Sequence, residues 1–404
     1  MLTSLAGIAC ILLIAALASN NRRAIRPRVV LTAFGLQLLF AVLALRIPEG
    51  VTVIKGIAGV AEAVLGYSKA GISLVFGDLA GGPIKNSLVV YVLPIVIFFS
   101  SLISILYHLR IMQFVVHTLG GALQLVIGTD KVESLCAAAN IFVGQTESPL
   151  VIRPYLASVT PSQMFAIMTS GMAGVAGTIL LAYSQLGVRM DYLLAATFMS
   201  APAGLLMAKI IMPETKDPAE KADLPAEIEH ERASSIIMAA GEGAQTGLKI
   251  AASIGAMLIA FVGIIALLNG ALGAMGGYFG MPDLTFQKAI GYVFAPLMML
   301  LNLSWDEARI AGGLFGEKII LNEFVAYIDF AKIQSTLSVR AQLVITFALC
   351  GFANIGSIAI QLAVIGGISP DKRAFVAKHG PRALLAASLA NLLNAAVAGL
   401  VFQV

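Results

Sequence analysis

The chain has 404 residues, of which 59% are hydrophobic and 12% charged, with a mean hydropathy of +0.91 and a net charge of +4. A single water-soluble globule cannot enclose that much apolar surface, so the composition points to a polytopic membrane protein. Its basic residues lie in connections between apolar runs, which argues against nucleic-acid binding, and Cys10, Cys136 and Cys350 sit inside apolar stretches with neither metal-ligand nor disulfide spacing.

Taken in chain order, apolar runs at 2–18, 29–46, 87–107, 163–183, 190–212, 246–270, 338–365 and 380–402 are each near the ~20 residues that cross a bilayer core as helix. They give eight expected spans. The first run has no basic region before it and no small-residue cleavage site, so it reads as a retained span. Arg22, Arg23, Arg26 and Arg28 crowd the first connection, and the positive-inside rule places that loop in the cytoplasm. Alternation then puts Arg110, Lys131, the mixed-charge stretch 214–232 and the Lys372–Arg382 cluster inside, with both termini outside. Residues 49–86 mix charge with apolar residues at helical intervals, so they are expected to lie on the membrane surface or beside it. The stretch 213–245 reads as a charged cytoplasmic linker.

Two segments, 118–158 and 304–335, are too interrupted for spans and too apolar for loops, and each is read as a hairpin that enters and leaves by one face. The first carries Asn140-Ile-Phe-Val-Gly-Gln-Thr-Glu-Ser-Pro149: Gly144 breaks a helix, Ser148 caps a new one and Pro149 suits its first turn. The second carries Leu321-Asn-Glu-Phe-Val-Ala-Tyr327 after Gly312, Gly313 and Gly316. Glu147 and Glu323 thus fall at membrane depth, where a charge costs roughly 2.5 to 3.5 kcal/mol on insertion scales and marks a functional site. Glu307, Arg309, Glu317 and Lys318 are expected to be solvated or paired near the second hairpin's mouth, Arg153 to snorkel to the surface and Trp305 to anchor at the interface.

After each hairpin comes a related run, Gly171-Met-Ala-Gly-Val-Ala-Gly-Thr-Ile179 and then Gly351-Phe-Ala-Asn-Ile-Gly-Ser-Ile358. By the charge argument the two units are inverted relative to one another, a plan in which transporters hold substrate and ion at helix breaks near the midplane. The polar lining gathered from both halves is Asn140, Gln145, Thr146, Glu147, Asn322, Glu323, Asn354 and Ser357. Carboxylates accept from sugar hydroxyls, and amides donate and accept along a base edge, so the set suits a neutral hydroxyl-bearing solute or a cation and disfavours an anion. Carbonyls freed around Asn140–Val143 offer a sodium site. Asn354 and Ser357 also have a plainer reading as hydrogen-bonding glue between helices, and Phe352 as core.

The Gly-Gln-Thr-Glu-Ser-Pro and Asn-Glu-Phe-Val-Ala-Tyr runs, followed by Ala348-Leu-Cys-Gly-Phe-Ala-Asn-Ile-Gly-Ser-Ile358, resemble the bacterial concentrative nucleoside transporter family along nearly the whole chain. The resemblance implies an all-α fold of eight transmembrane helices and two re-entrant hairpins in an inverted repeat, assembled as a homotrimer in the bacterial cytoplasmic (inner) membrane. It implies no enzymatic activity and no cofactor. Residues 1–110 are expected to be mainly scaffold, 111–212 the first transport repeat, 246–303 further scaffold and 304–404 the second repeat, with the transport part moving like an elevator. The substrate would be uridine or another nucleoside: Gln145, Thr146 and Glu147 face the base, Ile179 and Phe352 give it apolar contact, and Glu323, Asn354 and Ser357 hold the ribose. Asn140, Val143, Gly174 and Val175 fall at the family's Na+ positions. Some relatives carry a serine at Gly174 whose hydroxyl joins the sodium shell, so H+ coupling is a rival here, with Glu147 or Glu323 as carrier. A membrane-embedded hydrolase using two carboxylates and a passive channel are the competing classes.

Overall fold

The computed structural model describes residues 2–81, 87–215 and 233–402, all helical where regular. Most of the charged linker, 216–232, lies outside the described residues. The first helices are α1 (Leu2–Leu17), α2 (Pro27–Leu45), α3 (Pro48–Phe76), α4 (Leu93–His108) and α5 (Ile111–Ile127). Pro27 and Pro48 open α2 and α3 in the first turn, where a missing N–H leaves no bond unmade. In α3 the buried residues Ala58, Leu65, Ser68 and Ile72 form one stripe, so one face is covered while the helix is also long and apolar enough to cross a membrane.

The remaining helices fall into two series with the same order. The first is α6 (Lys131–Val143), α7 (Ser148–Val151), α8 (Pro161–Ala173), α9 (Gly177–Gln185) and α10 (Met190–Ile211). After α11 (Ile236–Gly277) and α12 (Phe286–Met299), the second is α13 (Trp305–Ile320), α14 (Glu323–Ile333), α15 (Val339–Leu349), α16 (Ile355–Ile368) and α17 (Arg373–Val401). Each series runs hairpin, broken span, long span, which is the expected repeat.

Three sequence expectations change. The first hairpin begins at Lys131 instead of 118: Gly128, at φ 79°, closes α5 as a separate helix, and Asp130 opens α6 through a capping box with Glu133. The runs expected as continuous spans at 163–183 and 338–365 are each two half-helices, parted at 174–176 and 350–354. Glycine and alanine there are apolar enough to read as helix, yet they let the chain turn extended. Lastly, α1 and α2 pack on α10 and α17 while α4 packs on α11, so the first three spans are not one packed unit.

Burial separates the helices by the surface they face. In α8–α9 and in α10, 94% of the most apolar 18-residue window is buried, against 28% for the span ending in α4 and 22% for α11. The first group is enclosed by protein and can carry polar groups satisfied by neighbours, whereas the second leaves its apolar surface outside the protein's own core. Close approach is built with glycine where α12 meets α13: a Cβ on Gly312 would lie 2.8 Å from the Gly291 carbonyl oxygen. The candidate site lies inside the enclosed group, where the breaks meet.

Candidate functional site at the meeting of two hairpins and two helix breaks

Gly144 turns the chain at the first tip with φ 77°, a conformation open to glycine, and a Cβ there would press on the Phe352 ring at 3.2 Å. The next residue, Gln145, is buried and reaches the second repeat: its Nε2 donates to Ser357 Oγ at 2.7 Å. Gln361 Nε2 donates to the Met168 carbonyl at 2.8 Å and contacts Gln145 Oε1 at 3.4 Å. Thus the tip amide is clamped between α8 and α16.

At the second tip Asn322 caps α14, its Oδ1 accepting from the Val325 N–H at 3.0 Å, and this places Glu323 in the first helical turn. Glu323 is 5% exposed; its carboxylate accepts from Tyr183 Oη at 2.9 Å and from Asn354 Nδ2 at 3.2 Å. Asn354 in turn caps α16, its Oδ1 accepting from the Ser357 N–H at 2.8 Å. The Asn354–Ser357 pair therefore does two jobs, ending the break and aiming polar groups at Glu323 and Gln145. Such side chains held by neighbours lose little entropy when a ligand's hydroxyls displace a partner.

Glu147 and Thr146 stand apart from this cluster. Thr146 is exposed, and Glu147 is half-buried in the wall of a cavity of about 420 Å³ shared with Val143, Thr178, Ser104, Tyr107 and Glu242. That volume is within the range of small-molecule sites. It lies between α4 and α11 on one side and the first hairpin on the other, toward the end of α4 that carries His108. Ile179 is buried in the first turn of α9, and Phe352 is half-buried.

The expected cation positions also converge. Asn140 is 2% exposed, its Nδ2 donates to the Ser170 carbonyl at 2.9 Å, and its Oδ1 is buried without a hydrogen-bond partner. A buried acceptor left unpaired costs about 1–3 kcal/mol, so this oxygen calls for a ligand. The Asn140 side chain stands by the break at Gly174, where a Cβ would lie 2.9 Å from its Nδ2 and 2.7 Å from Ser200 Oγ; Val143 and Val175 are buried. Neutral amide, hydroxyl and carbonyl oxygens fit a monovalent hard cation. No cluster of three or more His, Cys, Asp or Glu suited to a metal occurs among the described residues. The Gly174 carbonyl accepts from the Phe352 N–H at 3.0 Å, tying the two breaks and using one of its two lone pairs.

Residues 6–79, 89–190 and 192–399 match, respectively, the Na+ dependent nucleoside transporter N-terminus, nucleoside recognition gate and Na+ dependent nucleoside transporter C-terminus families. The chain is also 43% identical to a nucleoside permease, NupC, of Helicobacter pylori, over 99% of this chain and 97% of that one. The chain belongs to the concentrative nucleoside transporter family. Its fold superposes on the solved structure of CNTnw in an inward-facing substrate-bound state with a TM-score of 0.94 at 43% identity, covering 99% of this chain and 97% of that one. An outward-facing variant of CNTnw gives 0.95, also at 43% identity, covering 99% and 98%. As a member of this family of nucleoside transporters the chain is a polytopic helical membrane protein.

Sequence reasoning missed four side chains that hold the site together: Tyr183, Gln361, Lys318 and Asn391. The first two are single polar residues in apolar runs, without a motif to mark them. Lys318 and Glu317 were expected at the hairpin's mouth, and both are instead fully buried. A charged pair after a glycine run reads as solvated until the helix packed on it is known, and here α12 covers Glu317 through Gln287, whose Nε2 donates to Glu317 Oε1 at 3.0 Å.

Proposed function

We propose that this transporter imports nucleosides against their gradient by symport with Na+, binding the nucleoside between the two hairpin tips. The observation that carries this reading is the buried cluster joining Gln145, Ser357, Asn354, Glu323 and Tyr183, which ties the tip of the first hairpin to the second repeat. An ionised Glu323 accepts hydrogen bonds from the ribose hydroxyls, assisted by Asn354 and Ser357. On the other side Gln145, Thr146 and Glu147 present donors and acceptors to the base, and Phe352 and Ile179 give its ring an apolar surface. Charge-assisted bonds of this kind are about twice as strong as neutral ones, and losing one partner leaves the other buried and unpaired.

Na+ would be held by the Asn140 amide oxygen with carbonyls of Val143, Gly174 and Val175. The cation would screen the negative ends of the half-helices and so link its own binding to the arrangement of the tips. Proton coupling is the second reading, favoured by Gly174, which offers no hydroxyl and whose carbonyl already accepts from Phe352.

The part that moves would comprise both repeats, α6–α10 and α13–α17, sliding as an elevator against α4 and α11, with α1 and α2 carried along by their packing on α10 and α17. We place the working assembly as a homotrimer in the bacterial inner membrane, with both termini outside. Uptake of labelled uridine into proteoliposomes, with Na+ and H+ gradients imposed separately, tests coupling. Accumulation above the external concentration is expected under an inward Na+ gradient; accumulation under a proton gradient alone would replace Na+ by H+. Mere equilibration under both would make the protein a passive channel, and conversion of uridine without accumulation would indicate a hydrolase.

A further inference from the structure

The two helix breaks are built alike but filled differently. In the first repeat Asn140, in the last turn of α6, reaches the C-terminal end of α8 through Ser170 and keeps a bare oxygen. In the second repeat Lys318, in the last turn of α13, reaches the C-terminal end of α15: its Nζ donates to the Ala348 carbonyl at 2.8 Å. A second N–H goes to Asn391 Oδ1 at 2.5 Å, and the ammonium lies 5.3 Å from the Phe315 ring centroid. Asn391 is itself buried, and its Nδ2 donates to the Ala173 carbonyl at 2.6 Å and the Cys350 carbonyl at 3.1 Å, the ends of both broken helices. Lys318 is 0% exposed; its hydrogen bonds go to neutral oxygens and it faces a ring, as a bound cation would, with the Glu323 carboxylate within electrostatic reach.

A half-helix ending inside protein leaves carbonyls without partners and carries a partial negative charge of about half an electron. Each repeat must supply a cation or donors at that end. We propose that the Lys318 ammonium is a tethered cation that occupies, in the second repeat, the place a mobile cation takes in the first. Its presence limits the transporter to one exchangeable cation site per protomer. The proposal rests on the reading of the Asn140 break as the coupling-ion site. It accounts for two breaks of one design having different side chains at the same place, and for a lysine at position 318 being buried at the cost of losing its water.

Thermal unfolding of the purified full-length protein, titrated with NaCl against choline chloride, tests this without transport. Wild type should be stabilised in proportion to ln[Na+] above its Kd, with the limiting slope of one bound ion. Lys318→Gln offers an amide oxygen and space in place of the charge. In choline it should melt roughly 5 °C or more below wild type. Na+ should restore it, with the limiting slope against ln[Na+] rising toward that of two bound ions. Lys318→Met fills the space with an apolar chain, and Na+ should not restore it. A Gln variant as stable as wild type in choline, or equally unstable in every cation, overturns the proposal; so does equal rescue of the Met variant. If wild type ignores Na+ while the Gln variant responds with the slope of one bound ion, the reading of the Asn140 break fails and the tethered role of Lys318 stands.

Discussion

The two tip glutamates occupy opposite environments although their repeats share one design. Glu323 is closed in by Tyr183 and Asn354 at 2.9 and 3.2 Å, whereas Glu147 looks into a cavity of about 420 Å³. A carboxylate already oriented by two donors is pre-organised and recognises one geometry; one in an open wall adapts to what enters. On the reading proposed above, Glu323 would hold the constant half of the substrate, the ribose, and Glu147 the variable half, the base.

Substitutions that remove this asymmetry should rank accordingly. Glu323→Gln keeps shape but loses the charge that both neighbours orient around, and uptake of labelled uridine should fall about 100-fold or more, with helical content by circular dichroism unchanged. Asn354→Ala removes both the donor to Glu323 and the cap of α16; a loss of roughly 30-fold is expected, accompanied by a lower melting temperature. In Glu147→Gln the half-saturating uridine concentration should rise by about tenfold while the maximal rate changes little, because the open wall contributes binding without ordering its neighbours. Tyr183→Phe leaves Glu323 one donor short, and about a fivefold loss in uptake is expected, near the value of one net hydrogen bond. If Glu147→Gln proved as severe as Glu323→Gln, the contrast between the tips would collapse.

Much of this contrast was legible in the sequence, because a glutamate flanked by amides and hydroxyls in an apolar chain is too costly to keep at membrane depth unless it serves a site. The tips and the repeat lie where spacing put them, and the motif residues Gln145, Glu323, Asn354 and Ser357 come together in one buried cluster. The helix breaks were hidden, since Gly171–Ile179 and Ala348–Ile358 are as apolar as an intact span and hydropathy reports only that. The start of the first hairpin was missed although Asp130-Lys-Val-Glu133 is a capping-box signature. Lys318 was unreadable for a different reason: the acceptors that make its burial tolerable, Ala348 and Asn391, lie 30 and 73 residues away.

The assignment of ribose to Glu323 and base to Glu147 is tested most directly by comparing uptake of uridine and 2′,3′-dideoxyuridine in wild type, Glu323→Gln and Glu147→Gln. Removing the ribose hydroxyls should cost wild type and Glu147→Gln a similar large factor, and should cost Glu323→Gln almost nothing further, because the interaction is already gone. An equal loss in all three proteins would mean that Glu323 does not hold the ribose, and the division of labour between the two tips would be wrong.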